Sequence, residues 1–211
     1  MKSQDLFSID IALLLPEAAN ARARAANQAM LAAQPLGAPA TLRLDSTHLP
    51  HITLVQLFVQ RTNLPSLADR IQLILTSHPP LPLRVTSVGS STTAAHFAIA
   101  PNPALQALHE VLMDAVQPFE EPEGGPEAFY SGEGAALEPA RDGDIAWVTH
   151  FRTRSSYANF SPHITLGIGL PPDFAEPFEF TATRAAACRL GRFCTCRTVL
   201  RDWVWKLPQP E

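Results

Sequence analysis

The 211-residue sequence is poor in the residues that mark several classes of protein. It has only three cysteines, Cys188, Cys194 and Cys196, an odd and clustered number that gives no disulfide framework. Charged residues make up 17% of the chain, and 16 lysines and arginines are outnumbered by 20 acids, for a net charge of −4. We therefore expect a reduced, cytoplasmic protein and exclude a basic protein that binds duplex DNA.

Long hydrophobic runs are also missing. The longest candidate, residues 9–15, is interrupted by Asp10 and followed by Pro16, whereas a membrane helix needs about 18 apolar residues or more. We expect neither a membrane span nor a signal sequence. Hydrophobic residues still make up 46% of the chain, enough for the core of one domain spanning residues 1–211, which we expect to be monomeric.

The negative charge is concentrated in residues 118–144. From residue 120 onward this segment carries eight acids against one base, together with five glycines and three prolines, and the rest of the chain has a net charge of +3. Such a composition predicts a long surface loop. The favoured interpretation is an acidic loop exposed to solvent, and the alternative is a lid over a site.

Hydrophobic periodicity predicts an α+β fold with helices laid on antiparallel sheets. The predicted strands are residues 7–15, 40–44, 51–59, 81–88, 94–99, 163–168, 179–187 and 192–206. The predicted helices are residues 17–34, 64–76 and 103–116, and residues 145–152 are ambiguous between helix and strand.

One short segment is repeated. The pentapeptide Pro-His-Ile-Thr-Leu occurs at residues 50–54 and again at residues 162–166, about half a chain apart. The repeat predicts a duplicated, pseudo-symmetric architecture in two lobes, the first contributed by residues of about 40–100 and the second by residues of about 145–206.

The strand period indicates what each copy does. Side chains alternate between the faces of a strand, so His51 and Thr53 share one face, as do His163 and Thr165, while the Ile and Leu residues face the core. If the two strands meet, two imidazoles can act as acid and base, and two hydroxyls can hold the oxygens of a tetrahedral anion. This set suits phosphodiester chemistry and needs no metal or other cofactor.

The paired motifs resemble the signature of the 2H phosphoesterase superfamily, which includes 2′-5′ RNA ligase-like proteins and cyclic phosphodiesterases. The resemblance implies a bilobal, pseudo-two-fold α+β fold with a central groove. It implies metal-independent hydrolysis of a 2′,3′-cyclic or 2′-linked nucleotide phosphoester, with His51 and His163 catalytic and Thr53 and Thr165 on the phosphate. The roles of acid and base stay open, because the two motifs are identical.

Weaker signals accompany the motifs. Tyr157 and Phe160 precede the second motif and could stack on a base, or pack in the core. Arg152 and Arg154 could contact phosphate, or be solvated. His48 and His51 form a His-x-x-His pair without the carboxylates that would complete a metal site. The remaining histidines, 78, 96, 109 and 150, are interpreted as structural or exposed, and the cysteines as small core residues.

Two further functions remain open. The first is an RNA 2′-5′ ligase or RNA-end processing enzyme, which needs a larger basic surface than a remainder of +3 suggests. The second is a module of the same fold that binds a nucleotide or RNA end without turnover. A small nucleotide substrate ranks above long RNA on the ground of charge.

Overall fold

A computed structural model describes residues 5–35, 41–90, 94–132, 137–173 and 176–205, and all statements below concern these residues. The strands are β1 (Leu6–Leu14), β2 (His51–Gln60), β3 (Leu81–Ser90), β4 (Ala94–Ile99), β5 (Glu120–Glu121), β6 (His163–Ile168), β7 (Phe178–Ala182), β8 (Arg184–Leu190) and β9 (Cys196–Val204). The helices are α1 (Glu17–Ala32), α2 (Leu64–Thr76), α3 (Pro103–Val116), α4 (Asp142–Thr149) and α5 (Phe151–Arg154). Within this part of the chain, no helix combines the length and apolarity needed to cross a membrane.

The predicted α+β class is confirmed, and the ambiguous segment 145–152 is helical, in α4 and α5. The predicted strand 179–187 is divided at Thr183 between β7 and β8. The predicted strand 40–44 is wrong over residues 41–44, and its first residue lies outside the described residues. Leu42 and Leu44 are buried there, but the side chain of Asn27 takes the place of a neighbouring strand and bonds the Leu42 carbonyl and the Leu44 N–H.

The strands form one antiparallel sheet in the order β7-β3-β4-β6-β2-β1-β8-β9, with β5 added beside β2. The two motif strands, β2 and β6, are central, and a pseudo-two-fold between them relates β1 to β4, β8 to β3 and β9 to β7. The predicted contiguous lobe ranges, about 40–100 and 145–206, do not follow this grouping. Strand β1 lies beside β2 in one half of the sheet, whereas β4 lies beside β6 and β3 beside β4 in the other, so residues 40–100 contribute strands to both halves.

The pseudo-symmetry extends to an irregularity in each motif strand. In β2 the register against β1 slips so that Leu54 is an extra residue between the pairs of Thr53 and Val55. In β6 the register against β4 slips in the same way at Leu166. Both bulges fall on the last residue of the repeated pentapeptide, where a bulge re-aims neighbouring side chains.

A side chain from a helix satisfies the backbone at each bulge. His109 of α3 donates its Nδ1–H to the Leu54 carbonyl at 2.6 Å, and Asn27 of α1 donates its amide to the Leu166 carbonyl at 2.8 Å. Both helix residues are buried. A bulge disrupts the ladder of backbone hydrogen bonds locally. These two side-chain hydrogen bonds provide buried partners for the carbonyls of the bulged residues.

The described residues of the acidic segment, 118–132 and 137–144, are more structured than the predicted surface loop. It contributes β5 beside β2, and the buried ring of Phe129 packs edge-on against Phe58 of β2. The Arg189 guanidinium donates to the carbonyls of residues 127–129. The segment is therefore anchored, because Ala128 and Phe129 supply an apolar contact that the surrounding acids, glycines and prolines obscure in the sequence.

Candidate active site

The two repeated motifs meet at the centre of the sheet. The strands β2 and β6 are paired through one antiparallel bridge, Ile52 to Ile164, and both isoleucines are fully buried. Residues flanking such a bridge point to the opposite face and lie beside each other in antiparallel order. The bridge thus brings His51 alongside Thr165 and Thr53 alongside His163, and all four side chains are half-buried.

The two motif imidazoles are held in the same way. His51 Nδ1 lies 2.8 Å from the carbonyl oxygen of Leu49, and His163 Nδ1 lies 2.8 Å from the carbonyl oxygen of Ser161. A carbonyl can only accept, so Nδ1 carries the hydrogen in both rings. Nε2 is thereby the atom of each ring that is left to exchange a proton with another group.

Asp10 of β1 lies beside the first motif. Its fully buried carboxylate accepts hydrogen bonds from the Thr53 hydroxyl at 2.7 Å and the Gln56 amide at 2.8 Å. The same oxygen, Oδ2, lies 3.5 Å from His51 Nε2. In the sequence Asp10 only interrupts a hydrophobic run. The signal that could have found it is a carboxylate in the middle of an otherwise apolar buried strand, which requires a partner.

His96 of β4 lies beside the second motif. It is paired across the strands with Thr165, and its ring centroid is 5.1 Å from that of His163. A Cβ on Gly89 of β3 would lie 2.7 Å from His96 Nε2, so glycine at this position leaves room for the ring. The sequence predicted His96 to be structural or exposed. It could not indicate that this third imidazole lies beside His163, because the position of His96 depends on which strand neighbours β6.

The two motif histidines differ in proton affinity. Burial disfavours the charged form of His51, but the hydrogen bond and negative charge of Asp10 outweigh it and raise the pKa of His51. Burial lowers the pKa of His163, and the positive charges that His96 and His51 can carry lower it further. The same residue in the same pentapeptide is thus the more basic in one half and the less basic in the other.

The two motif threonines also differ. The Thr53 hydroxyl donates to Asp10, whereas the Thr165 side chain makes no hydrogen bond to the described residues. A hydroxyl that donates to a carboxylate presents only its lone pairs elsewhere. Of the two motif threonines, Thr165 is thus the one whose hydroxyl proton is not donated to a described residue.

Tyr157 and Phe160 are engaged away from the motif pairs. The Phe160 ring stacks on His109 of α3 at a centroid distance of 3.9 Å, and the Tyr157 N–H donates to His109 Nε2. The Tyr157 hydroxyl donates to Asp114. These contacts favour the packing alternative for both rings, and substrate contact by either one stays a prediction.

The two arginines ahead of the second motif have different surroundings. Arg152 is neither solvated nor free for phosphate, since it pairs with Glu120 at 2.5 Å and donates to the Met113 carbonyl and the Tyr157 hydroxyl. Arg154 is exposed, beside a shallow surface cavity of about 190 Å³ next to Trp147 and His150. The phosphate contact predicted as an alternative is therefore open to Arg154 and closed to Arg152.

One group of described residues has ligand atoms close enough to hold a metal ion: Asp10, His51 and Cys196, mutually within 4.8 Å. Asp10 Oδ2 already accepts two hydrogen bonds, and burial raises the pKa of the Cys196 thiol well above its ordinary value, so the thiol is uncharged. We treat this group as the hydrogen-bonding environment of His51 and assign it no metal. His48, the other member of the His-x-x-His pair, contacts the carboxylates of Asp45 and Glu138 instead.

Comparison with known proteins identifies relatives of this fold. The family model described as the 2′-5′ RNA ligase superfamily matches residues 40–197. Protein TT0787 of Thermus thermophilus superposes with a TM-score of 0.61 at 17% identity, covering 96% of this chain and 100% of its own. No curated protein matches in sequence.

Structures of E. coli LigT superpose as well. The complex with NADP+ has a TM-score of 0.57 at 17% identity, covering 95% of this chain and 98% of LigT. The complex with 3′-AMP has a TM-score of 0.55 at 18% identity, covering 95% of this chain and 99% of LigT. At these identities the superpositions establish the fold, and the family model, which spans most of the chain and both motifs, establishes the family. The chain belongs to the 2′-5′ RNA ligase superfamily.

Proposed function

We propose that this protein is a metal-independent phosphodiesterase that hydrolyses a 2′,3′-cyclic or 2′-linked nucleotide phosphoester by general acid–base catalysis. One observation carries the proposal: two imidazoles, each held at Nδ1 by a backbone carbonyl, lie on the same face of two adjacent strands with Nε2 as the atom left to exchange a proton. General bases and acids need this geometry before they need a suitable pKa.

The reaction follows from the different surroundings of the two rings. His163, with the lowered pKa, is neutral and takes a proton from water on Nε2 as the water oxygen bonds to phosphorus. His51, with the raised pKa, is protonated and gives its Nε2 proton to the ribose oxygen as the phosphorus–oxygen bond breaks. His163 then loses its proton to solvent and His51 regains one, which restores the starting state.

The threonines hold the developing charge on the phosphoryl group. Thr165 donates its free hydroxyl to one non-bridging oxygen, since a donor at this place stabilises the transition state. Thr53 reaches the second oxygen when its proton turns from Asp10 to the phosphate. Thr165 therefore contributes from the resting geometry, and Thr53 contributes after a local rearrangement.

A small nucleotide is the substrate class that the surroundings favour. The structural relative LigT is described in complexes with 3′-AMP and with NADP+, both nucleotides. In this chain the acidic segment packs on Phe58, which the bulge at Leu54 puts on the same face of β2 as Gln56 and Thr53. The acidic residues of that segment repel a long polyanion more than a single phosphoester.

A panel of phosphoesters tests the function. We expect hydrolysis of at least one of three substrates, namely 2′,3′-cyclic mononucleotides, ADP-ribose 1″,2″-cyclic phosphate and a 2′-5′ linked dinucleotide, and we expect its rate to be unchanged in EDTA. Saturable binding of a 2′-phosphorylated nucleotide without product would favour the binding module. Joining of RNA ends would favour the ligase. Loss of activity in EDTA, restored by a divalent cation, would contradict the metal-independent mechanism.

The pH dependence is the second test of the mechanism. We expect a bell-shaped profile of kcat/KM, because activity needs His163 neutral and His51 protonated. The acidic limb should lie below the ordinary histidine pKa and the alkaline limb above it, following the lowered and raised pKa values. Initial rates across the pH range measure both limbs, and a rate that rises steadily with pH would contradict the role of His51 as the acid.

A further inference from the structure

The two motif strands carry the same residues, so a difference between His51 and His163 must arise from the strands beside them. Strand β1 places Asp10 opposite the residue five positions after His51. Strand β4 places Ala94 opposite the residue five positions after His163. Asp10 and Ala94 are therefore equivalent under the pseudo-two-fold, and only the first half has a carboxylate there.

The second half has its own addition. His96 lies opposite the threonine of the second motif, and the equivalent position opposite the threonine of the first motif is Ala12. A methyl group in one half thus corresponds to an imidazole in the other. The duplication is broken twice, by a group that attracts positive charge in the first half and by a group that can repel it in the second.

We propose that Asp10 and His96 are positioning residues that divide the work of the two motif histidines, Asp10 holding His51 protonated as the acid and His96 holding His163 neutral as the base. The assignment of acid and base rests on the proposed function. The unequal protonation itself is a property of the free protein and can be measured without a substrate.

The contacts of Asp10 carry the first half of the proposal. A buried carboxylate is costly unless it is paired, and its side chain is fully buried. Thr53 and Gln56 supply neutral donors, and His51 is the one basic side chain that pairs with it among the described residues. Asp10 Oδ1 has no hydrogen-bond partner in this part of the chain, so the charge is left for His51 to balance.

The ring contact of His96 carries the second half. At a centroid distance of 5.1 Å and an interplanar angle of 60°, the two imidazoles are too close for both to be charged without repulsion. Other ionisable groups near the two rings act on them more weakly, not all in the same sense, and the Cys196 thiol within 4.8 Å of His51 is uncharged. The charge of His51 lowers the pKa of His163 and that of Asp10 raises it. Cys188 raises the pKa of His51.

The test is an NMR titration of the imidazole resonances of His51 and His163, with kcat/KM profiles of the same proteins. In the wild type we expect His51 to titrate at higher pH than His163. Asp10→Asn, which keeps the shape and removes the charge, should lower the midpoint of His51 by about one pH unit or more. His96→Asn should raise the midpoint of His163, and the alkaline and acidic limbs of the rate profile should move with them.

Matched variants separate charge from structure. Asp69→Asn, at an exposed position of α2, and His78→Asn, just after that helix, remove the same groups elsewhere and should leave both midpoints in place. Thermal unfolding checks that each variant is folded. If Asp10→Asn folds poorly, Asp10→Glu is the second variant: it keeps the negative charge and should keep the His51 midpoint close to that of the wild type. Equal midpoints in the wild type, or midpoints unmoved by Asp10→Asn, would overturn the proposal. The expected midpoints in a protein that hydrolyses no phosphoester would support it and contradict the proposed function instead.

Discussion

Replacement of His51 or His163 by alanine is expected to lower kcat by about 10²–10⁴-fold, because each ring supplies one of the two proton transfers. The loss should appear in kcat rather than in KM, since protons move in the transition state and not on binding. Steady-state kinetics on whichever phosphoester is hydrolysed measures the effect. The double variant should lose little more than the worse single variant, because the two groups act as a unit.

Folding has to be separated from catalysis in this experiment. The His163 ring bonds only the carbonyl two residues before it, so alanine removes few contacts there, whereas His51 also pairs with the buried carboxylate of Asp10. We expect His163→Ala to unfold near the wild-type temperature and His51→Ala to unfold at a lower one, so the kinetics are compared at a temperature where both are folded. His78→Ala, a half-buried histidine that bonds the Ile74 carbonyl, is the matched control and should keep full activity. Full activity in either motif variant would refute the two-histidine mechanism.

Asn27→Ala should cause the largest loss of stability among the single changes considered. The Asn27 side chain makes three buried hydrogen bonds, to the carbonyls of Leu42 and Leu166 and from the N–H of Leu44. Each buried group left without a partner costs about 1–3 kcal/mol, so the free energy of unfolding should fall by about 3 kcal/mol or more. Chemical denaturation followed by circular dichroism measures the change.

The exposed neighbour Gln28 provides the control for this prediction. Gln28→Ala changes a similar side chain on the same helix and should alter the free energy of unfolding by less than about 0.5 kcal/mol. Because Asn27 holds the bulge carbonyl at Leu166, immediately after Thr165, we also expect Asn27→Ala to lower activity at temperatures where the variant is still folded. An unfolding curve indistinguishable from that of Gln28→Ala would contradict the role of Asn27.

The sequence predicted most elements because their patterns are local. The alternation in residues 51–59 and 163–168 and the helical stripes of α2 and α3 depend on residues a few positions apart. The strand predicted at 40–44 fails for a non-local reason, since the partner of its backbone is Asn27 and not a strand. The acidic segment was misjudged similarly, because Phe129 is anchored by Phe58, which is distant in the chain.

The amino-acid sequence by itself determined the α+β class, the duplication and the two His-x-Thr pairs, because a repeated pentapeptide and a period of two are visible in one dimension. Which strands lie beside those pairs was decided only by the tertiary structure. Asp10 is 41 positions before His51 and His96 is 67 positions before His163, and neither has a local pattern that links it to its motif. Strand order brings them into contact, and that contact distinguishes two histidines that the sequence leaves identical.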